Sequence, residues 1–416
     1  MRIPSSPLVH LRAIHAGARA LVVMGVLLVT AVVWVPLPAG ATFQGSTPGN
    51  VAFISICDSN IGQAVYSVNP VGTPPPTYAC PGGTNPYTQS TAGSADSMPY
   101  FSSLGTTLYF ASNRLGSGNN PGANGNFAIY QVTYPPTVSG APGSQTDGAT
   151  QITFPGTSND YAPTVSADGS ELSFLRCNSG TSSCSLYVQN PIVGGTPTLV
   201  NTSVPPVLPD SVSGAASRPE IDPADPSQIL YVGTDNHIHL VSLTSAFAER
   251  DLSSESGITA GQADEYPDWN PAGTNVIFDR SHVVYVFYGI NPATGSASAC
   301  QLWSSDPGTE IEPIYAPNDT ATATSGNCNP TTNQYVWTKL GGGSNIIVDG
   351  HGDANPVLLT SNRSNNSQPA WQPVSPSTGT PEVPMAAVLP GLGGILLAGA
   401  FVLERQRRRK LTGSNI

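Results

Sequence analysis

The stretch Asp264 to Asn291, DEYPDWNPAGTNVIFDRSHVVYVFYGIN, decides the fold. After an acidic lead-in, Pro267-Asp268-Trp269 begins a short strand, where proline is tolerated because the first position needs no ladder donor. Asn270-Pro271-Ala272-Gly273 reads as a turn: proline presets φ and glycine accepts a positive one. Asn275 to Phe278 supplies β-branched and aromatic residues suited to a buried strand, and His282 to Tyr288 is a second such run. Two or three strands bury too little apolar surface to be stable alone. Copies stacked against one another would bury a continuous core.

The copies are present. Pro99-Tyr100-Phe101 leads to Gly105 and the run Thr106 to Ser112. Pro163-Thr164-Val165 leads to Asp168-Gly169 and Glu171 to Cys177. Pro219-Glu220-Ile221 leads to Gln228 to Thr234, and Pro313-Ile314-Tyr315 to a delayed run, Gln334 to Lys339. Pro369-Ala370-Trp371 has no second strand after it, while Asn50 to Ile56 and Ala64 to Val68 lack a Pro-aromatic start. Joined, the two ends make one complete unit. The six anchor prolines lie 64, 56, 48, 46 and 56 residues apart, a spacing that suits propeller blades of about 45 residues with loop inserts. An open sandwich of evenly spaced strands leaves the split terminal unit unexplained. The expectation is an all-β, six-bladed β-propeller closed by pairing of its N- and C-terminal strands.

Asp264, Pro267, Trp269, Pro271, Gly273 and Phe278 follow the pattern D-x-x-P-x-W-x-P-x-G-x-x-I-x-F, which resembles the WD40-like repeat of TolB-type β-propellers. The resemblance covers Asn50 to about Pro373 and is looser in the units at Pro219 and Pro313. It implies six blades closed by the two ends. Some proteins with this repeat carry a serine hydrolase domain after the propeller; only a linker and an apolar segment follow here, so that activity is not expected.

Residues 1–41 read as a signal peptide. Arg2, Arg12 and Arg19 form a basic region, Leu21 to Val35 is apolar, and Ala39-Gly40-Ala41 has the small residues of a cleavage site. The propeller is expected over 42–373. The whole chain has 43 Gly, 40 Pro and 10% charged residues, a composition suited to an extracellular all-β protein with long rim loops. Between Thr42 and Thr380 stand seven of the 15 basic residues and 24 of the 26 acidic ones, about −17 in net charge. Such a surface repels nucleic acid, which needs Lys and Arg neutralisation, and favours cations or basic partners. All six cysteines lie in this part, which suggests disulfides. Pairing for least reach joins Cys57 with Cys80, Cys177 with Cys184, and Cys300 with Cys328.

Residues 374–384 read as a linker. Met385 to Leu403 is an apolar, glycine-rich run near the length of a membrane span, and 404–416 is a basic tail that should stay cytoplasmic. The layout of a Pro-Glu motif (Pro381 to Pro384), an apolar run and an arginine cluster resembles bacterial surface-sorting signals of the PEP type, with a different motif order. The expected location is the cell surface or envelope, tethered by a C-terminal transmembrane or sorting helix.

No G-x-S-x-G, H-E-x-x-H, P-loop or G-x-G-x-x-G motif occurs, so the usual hydrolase, zinc-protease and nucleotide-binding signatures are missing. His237 and His239 fall on one face of a strand; two surface histidines is the plainer reading, a metal pair the sharper one. One constellation comes from the repeat itself. Asp96, Asp160, Ala216, Asp264, Glu310 and Asn366 stand three residues before the anchor prolines. Equivalent positions of innermost strands would ring one mouth of the channel. Asp96, Asp160, Asp264, Glu310 and Asn366 are therefore candidate ligand-binding residues, and the four acidic ones candidate ligands for a hard cation such as Ca²⁺. The competing reading has each side chain bonding turn amides or the next blade. No cofactor other than such an ion is expected, and no catalytic residue is assigned. The expected function is non-enzymatic binding of a protein, peptide or glycan. An extracellular polymer hydrolase or lyase using channel carboxylates, and a structural surface spacer, are the alternatives.

Overall fold

The unit that begins at Asp264 folds as a four-stranded antiparallel sheet of Asp264–Trp269, Val276–Arg280, Val284–Asn291 and Ser296–Gln301. Its first turn is set by Asn270, whose Oδ1 accepts the amides of Thr274 at 2.8 Å and Asn275 at 2.9 Å. Gly273 sits in that turn at φ 65, a conformation that costs glycine nothing. His282 does not join the third strand as expected; it lies in the preceding turn at φ 65, and the strand starts at Val284.

The computed structural model describes residues 49–55, 63–68, 88, 95–114, 125–134, 147–178, 184–204, 218–244, 248–291, 296–302, 310–317, 323, 324, 327, 328, 334–340, 344–350, 357–360 and 366–373. Blade 1 has strands Asp96–Phe101, Thr107–Ser112, Ala128–Thr133 and Thr150–Gln151. Blade 2 has Ser158–Val165, Leu172–Asn178, Cys184–Gln189 and Thr198–Val204. Blade 3 has Glu220–Ile221, Gln228–Val232, Ile238–Ser242 and Glu249–Asp251. The Asp264 unit is blade 4. Blade 5 has Glu310–Tyr315, Gln334–Lys339, Asn345–Gly350 and Val357–Leu358. Three of the outermost strands are only two or three residues long and carry no periodic signal in the sequence.

Blade 6 is the split unit. Ser367–Trp371 pairs antiparallel with Val51–Ser55, which pairs with Ala64–Val68. The innermost strand of each blade touches that of the next, and blade 6 returns to blade 1. The join is reinforced past the strand ends: Gln372 N donates to Asn50 O at 2.8 Å, and Gln372 Nε2 to Gly105 O at 2.9 Å. A Cβ on Gly49 would stand 2.2 Å from Gln372 O, so glycine is what lets the two ends approach.

Blades pack face to face, so each strand needs apolar residues on both faces. Val51–Ser55 is buried at every position. Val51 and Phe53 enter a cluster with Val336 and Ile346 of blade 5, whereas Ala52 and Ile54 join Leu108 and Phe110 of blade 1. One strand thereby fills two interblade cores.

Cys177 and Cys184 form a disulfide between register partners on adjacent strands of blade 2, and Cys300 is bonded to Cys328, both as expected. Among the described residues no helix is long and apolar enough to cross a membrane. The expected signal peptide, linker, membrane helix and basic tail lie outside the described residues, as do Cys57 and Cys80.

Deleting Ser367 to Pro373 removes the inner strand of blade 6 and uncovers both cores. Thermal unfolding should show a loss of several kcal/mol, comparable to a domain's whole margin of about 5–15 kcal/mol. The milder Trp371→Ala should cost about 3–5 kcal/mol. An unchanged melting temperature for the deletion would contradict closure.

Candidate functional site

The three aspartates of the acidic register, Asp96, Asp160 and Asp264, are buried and paired within their own blades. Asp160 faces Arg176 and Asp264 faces Arg280 across the first two strands. Both pairs are two-pronged, at 2.6 and 2.8 Å for Arg176 and at 2.6 and 2.7 Å for Arg280. Asp96 meets Arg114 at 2.7 Å, and that arginine also holds Asp147 at 2.6 Å. Each guanidinium lies over two rings of the same blade: Arg114 over Phe110 and Tyr130, Arg176 over Phe174 and Tyr187, Arg280 over Phe278 and Tyr285. The carboxylate supplies charge and the rings a cation–π contact. Burial still pushes the Asp96 and Asp160 carboxyls above their usual range, with the arginines pulling the other way.

Glu310 stands at the same register, opposite Lys339; its side chain is outside the described residues. Asn366 is buried, and its Oδ1 has no hydrogen-bond partner among the described residues. The structure does not bring Asp96, Asp160 and Asp264 to one another. The one group of three metal-capable side chains that converges among the described residues is in blade 3.

The channel is lined instead by residues beside the anchor prolines. Met98, Ala162, Tyr266, Glu312 and Gln368, each one residue before its proline, have φ between 52 and 56. At each of these positions the ladder register also shifts. A bulge of this kind bends the strand and re-aims its side chains. Around part of the ring the bulges are wired together. Thr338 Oγ1 and Gln368 N both donate to Glu312 Oε2 at 2.6 Å, and Met98 N donates to Gln368 Oε1 at 2.7 Å. Blade 3 has Arg218 at this position. It donates to Pro99 O at 2.9 Å and to Glu220 Oε1 at 2.5 Å, and lies over the Tyr100 ring.

One residue after the prolines, Tyr100, Glu220 and Asp268 meet Arg218 in a cavity of about 250 Å³ that Trp269 and Trp371 also line. Asp268 Oδ2 accepts the Tyr315 amide at 2.8 Å. Both acids are held well above the ordinary carboxyl range: burial is the main cause, and the Asp268 charge adds to it at Glu220, while Arg218 opposes it at both. Burial, with the Glu220 charge behind it, also raises the Tyr100 hydroxyl. The site thus offers a neutralisable acid pair and one guanidinium inside aromatic and proline walls, a chemistry fit to hold a ligand with polar and apolar parts.

No protein-family model matches the sequence, and no curated protein matches it. In fold the chain is similar to TolB from Acinetobacter baumannii, at 13% identity over 79% of this chain and 67% of that one, with a TM-score of 0.51. It is similar to Kuenenia stuttgartiensis hydrazine synthase at 12% identity over 80% of this chain, with a TM-score of 0.50, and spans about half of that protein, 48%. The chain has the fold of a TolB-like six-bladed β-propeller.

The arginine partners carried a signal that the acidic register alone did not: Arg114, Arg176 and Arg280 follow their aspartates by 18, 16 and 16 residues. Removing one partner leaves a buried charge alone. Arg280→Met should destabilise the protein by about 3–5 kcal/mol in urea unfolding, and Arg280→Met/Asp264→Leu by much less. A single variant as stable as wild type would contradict a buried pair.

The channel acids give a pH signature. Their folded values lie above the unfolded ones, near 4.5 for Glu220 and 3.8 for Asp268. Stability from the neutral acids is therefore present below those values and is lost as pH rises through the folded ones. Asp268→Asn should flatten the fall in melting temperature between about pH 4 and 7; an identical slope in wild type and variant would refute the assignment.

Proposed function

We propose that this is a non-enzymatic, envelope-facing propeller that binds a protein, peptide or glycan segment at its channel mouth. The observation that carries the reading is the cavity where Arg218, Glu220 and Asp268 sit among Tyr100, Trp269 and Trp371. Its acids are anchored: Asp268 by the Tyr315 amide, Glu220 by Arg218, and Arg218 in turn by the Pro99 carbonyl. Side chains fixed in this way suit recognition, since little ordering remains to oppose binding. The two disulfides support an oxidising compartment. Export by residues 1–41 and tethering by 385–403, with the membrane as second partner, complete the proposal. The acidic register does not supply the ligand groups in this reading, because its three described aspartates are taken up by arginines.

The polymer hydrolase or lyase reading has one observation in its favour: two buried acids with raised pKa share a cavity. A carboxylic acid still protonated near neutrality can serve as a general acid.

Tryptophan fluorescence separates the readings, because Trp269 and Trp371 report on the cavity. Titration with a basic, proline-containing peptide and with a neutral oligosaccharide should give a saturable change with one of them. Trp269→Ala should weaken that binding at least about tenfold, as for a central aromatic contact, and mass spectrometry should recover the probe intact. Cleavage of the probe that disappears in Glu220→Gln would replace binding by catalysis. No saturable response to either probe would contradict a channel-mouth site for these ligand classes.

A further inference from the structure

Blade 3 holds a second cluster, away from the channel acids, where His237 and His239 meet three carboxylates. The hairpin Gly233 to His237 turns between Gln228–Val232 and Ile238–Ser242, with Asn236 at φ 61. Asp235 caps the turn, its Oδ1 accepting the His237 amide at 3.2 Å. On the neighbouring outer strand Asp251 is the register partner of His239. Asp251 also caps the short helical turn Leu252–Glu255.

The imidazole and carboxylate atoms converge. Asp235, His239 and Asp251 each offer a ligand atom within 4.8 Å of the others. His239 Nε2 is 3.1 Å from Asp235 Oδ1. His237 Nδ1 is 2.8 Å from Asp251 Oδ2 and 3.8 Å from Asp235 Oδ2. Metal–ligand bonds of about 2.0–2.1 Å in a tetrahedral site place ligand atoms about 3.3 Å apart. The His239–Asp235 separation lies close to that value, so Asp235, His239 and Asp251 can serve as three corners of one coordination tetrahedron, with His237 bonded to Asp251 from behind.

Two further features point the same way. His239 is 9% exposed, and its Nδ1 lies 2.7 Å from Glu249 Oε1 without the alignment of a full hydrogen bond. A carboxylate behind the far nitrogen of an imidazole is how metal-binding histidines are oriented, and it leaves Nε2 to face Asp235. Glu249 is itself held by Asn201 at 3.1 Å, and the Tyr231 ring stacks on His239. Beneath the donors, a Cβ on Gly233 would come within 2.5 Å of Asp235 Oδ1 and 2.8 Å of His239 Nε2. The backbone keeps that space clear. An open cavity of about 520 Å³, lined by Asp235, His237 and Ser254, gives a route in.

We propose that Asp235, His239 and Asp251 bind a divalent first-row transition metal ion of the Zn²⁺ class, with Glu249 orienting His239 and His237 orienting Asp251. An imidazole between two carboxylates favours such an ion over Ca²⁺, which takes oxygen ligands. The ion clamps the hairpin of blade 3 to its outer strand and to the turn that leads into blade 4. There Ser253 Oγ accepts the Ile238 amide and donates to Asp264 Oδ2.

The test is calorimetric titration of Zn²⁺ into the untagged full chain after chelator treatment, with Ca²⁺ as competitor. The expected result is one Zn²⁺ per chain, no competition by Ca²⁺, and an affinity unchanged in Asp168→Asn, a turn residue of blade 2. His239→Gln should weaken binding at least about tenfold, and His237→Gln and Glu249→Gln, which remove orienting partners, each by about ten- to a hundredfold. Absence of stoichiometric Zn²⁺ binding in wild type overturns the proposal and leaves a hydrogen-bonded His–Asp network. So does wild-type affinity in His239→Gln. If that variant does not fold, the visible spectrum of Co²⁺-loaded protein decides, since a band that is identical in wild type and in Asp235→Asn, a variant of the exposed ligand, also overturns it.

Discussion

The pairing of Val51–Ser55 with Ser367–Trp371 is the constraint on which the rest of the structure depends. Each blade covers the faces of two neighbours, so a ring short of one strand leaves two cores open rather than one. The strand from the chain start fills both, with alternate residues committed to blade 5 and to blade 1. Closing so long a loop is tolerable because closure entropy grows only with the logarithm of length. The channel depends on the same join. The C-terminal strand carries Gln368, which links the bulges of blades 5 and 1, and Trp371, which walls the cavity around Arg218.

Two arrangements of buried carboxylates differ in how their charge is met. Asp96, Asp160 and Asp264 are consumed by structure: each is desolvated, neutralised by an arginine, and braced by that arginine's contact with two rings. Glu220 and Asp268 share a single guanidinium and are left with raised proton affinity at the channel. The first arrangement fastens the innermost strand to its own blade. The second leaves a charge state that a ligand can change, and on this difference rests the proposal of a channel-mouth site.

The blade order, the anchor prolines, the ring closure and two of the disulfides were legible in the sequence because each rests on local patterns or on chain ends that complete one another. The channel lining was not. Period-2 alternation puts residues three before, one before and one after the proline on one face of an unbroken strand. The bulge at Met98, Ala162, Tyr266, Glu312 and Gln368 breaks that rule, so the aspartates turn to their arginines while the positions flanking the proline meet the channel. The left-handed residue is not glycine in any of these five cases, so composition gave no warning. Likewise the spacing of His237 and His239 suggested one strand face, but His237 lies in the turn before Ile238–Ser242, and the carboxylates that complete the cluster come from that turn and a three-residue outer strand, neither of which has a periodic signature.

Native-state hydrogen exchange of the two paired terminal strands tests the closed ring most directly, because it reads the opening free energy of single amides. If the ends close the propeller, the amides of Ala52, Ile54 and Ala370 exchange only through global unfolding, as slowly as those of Phe278 in the core of blade 4. If they exchange at low opening free energy while Phe278 remains protected, the ends fray independently and the ring does not depend on their pairing.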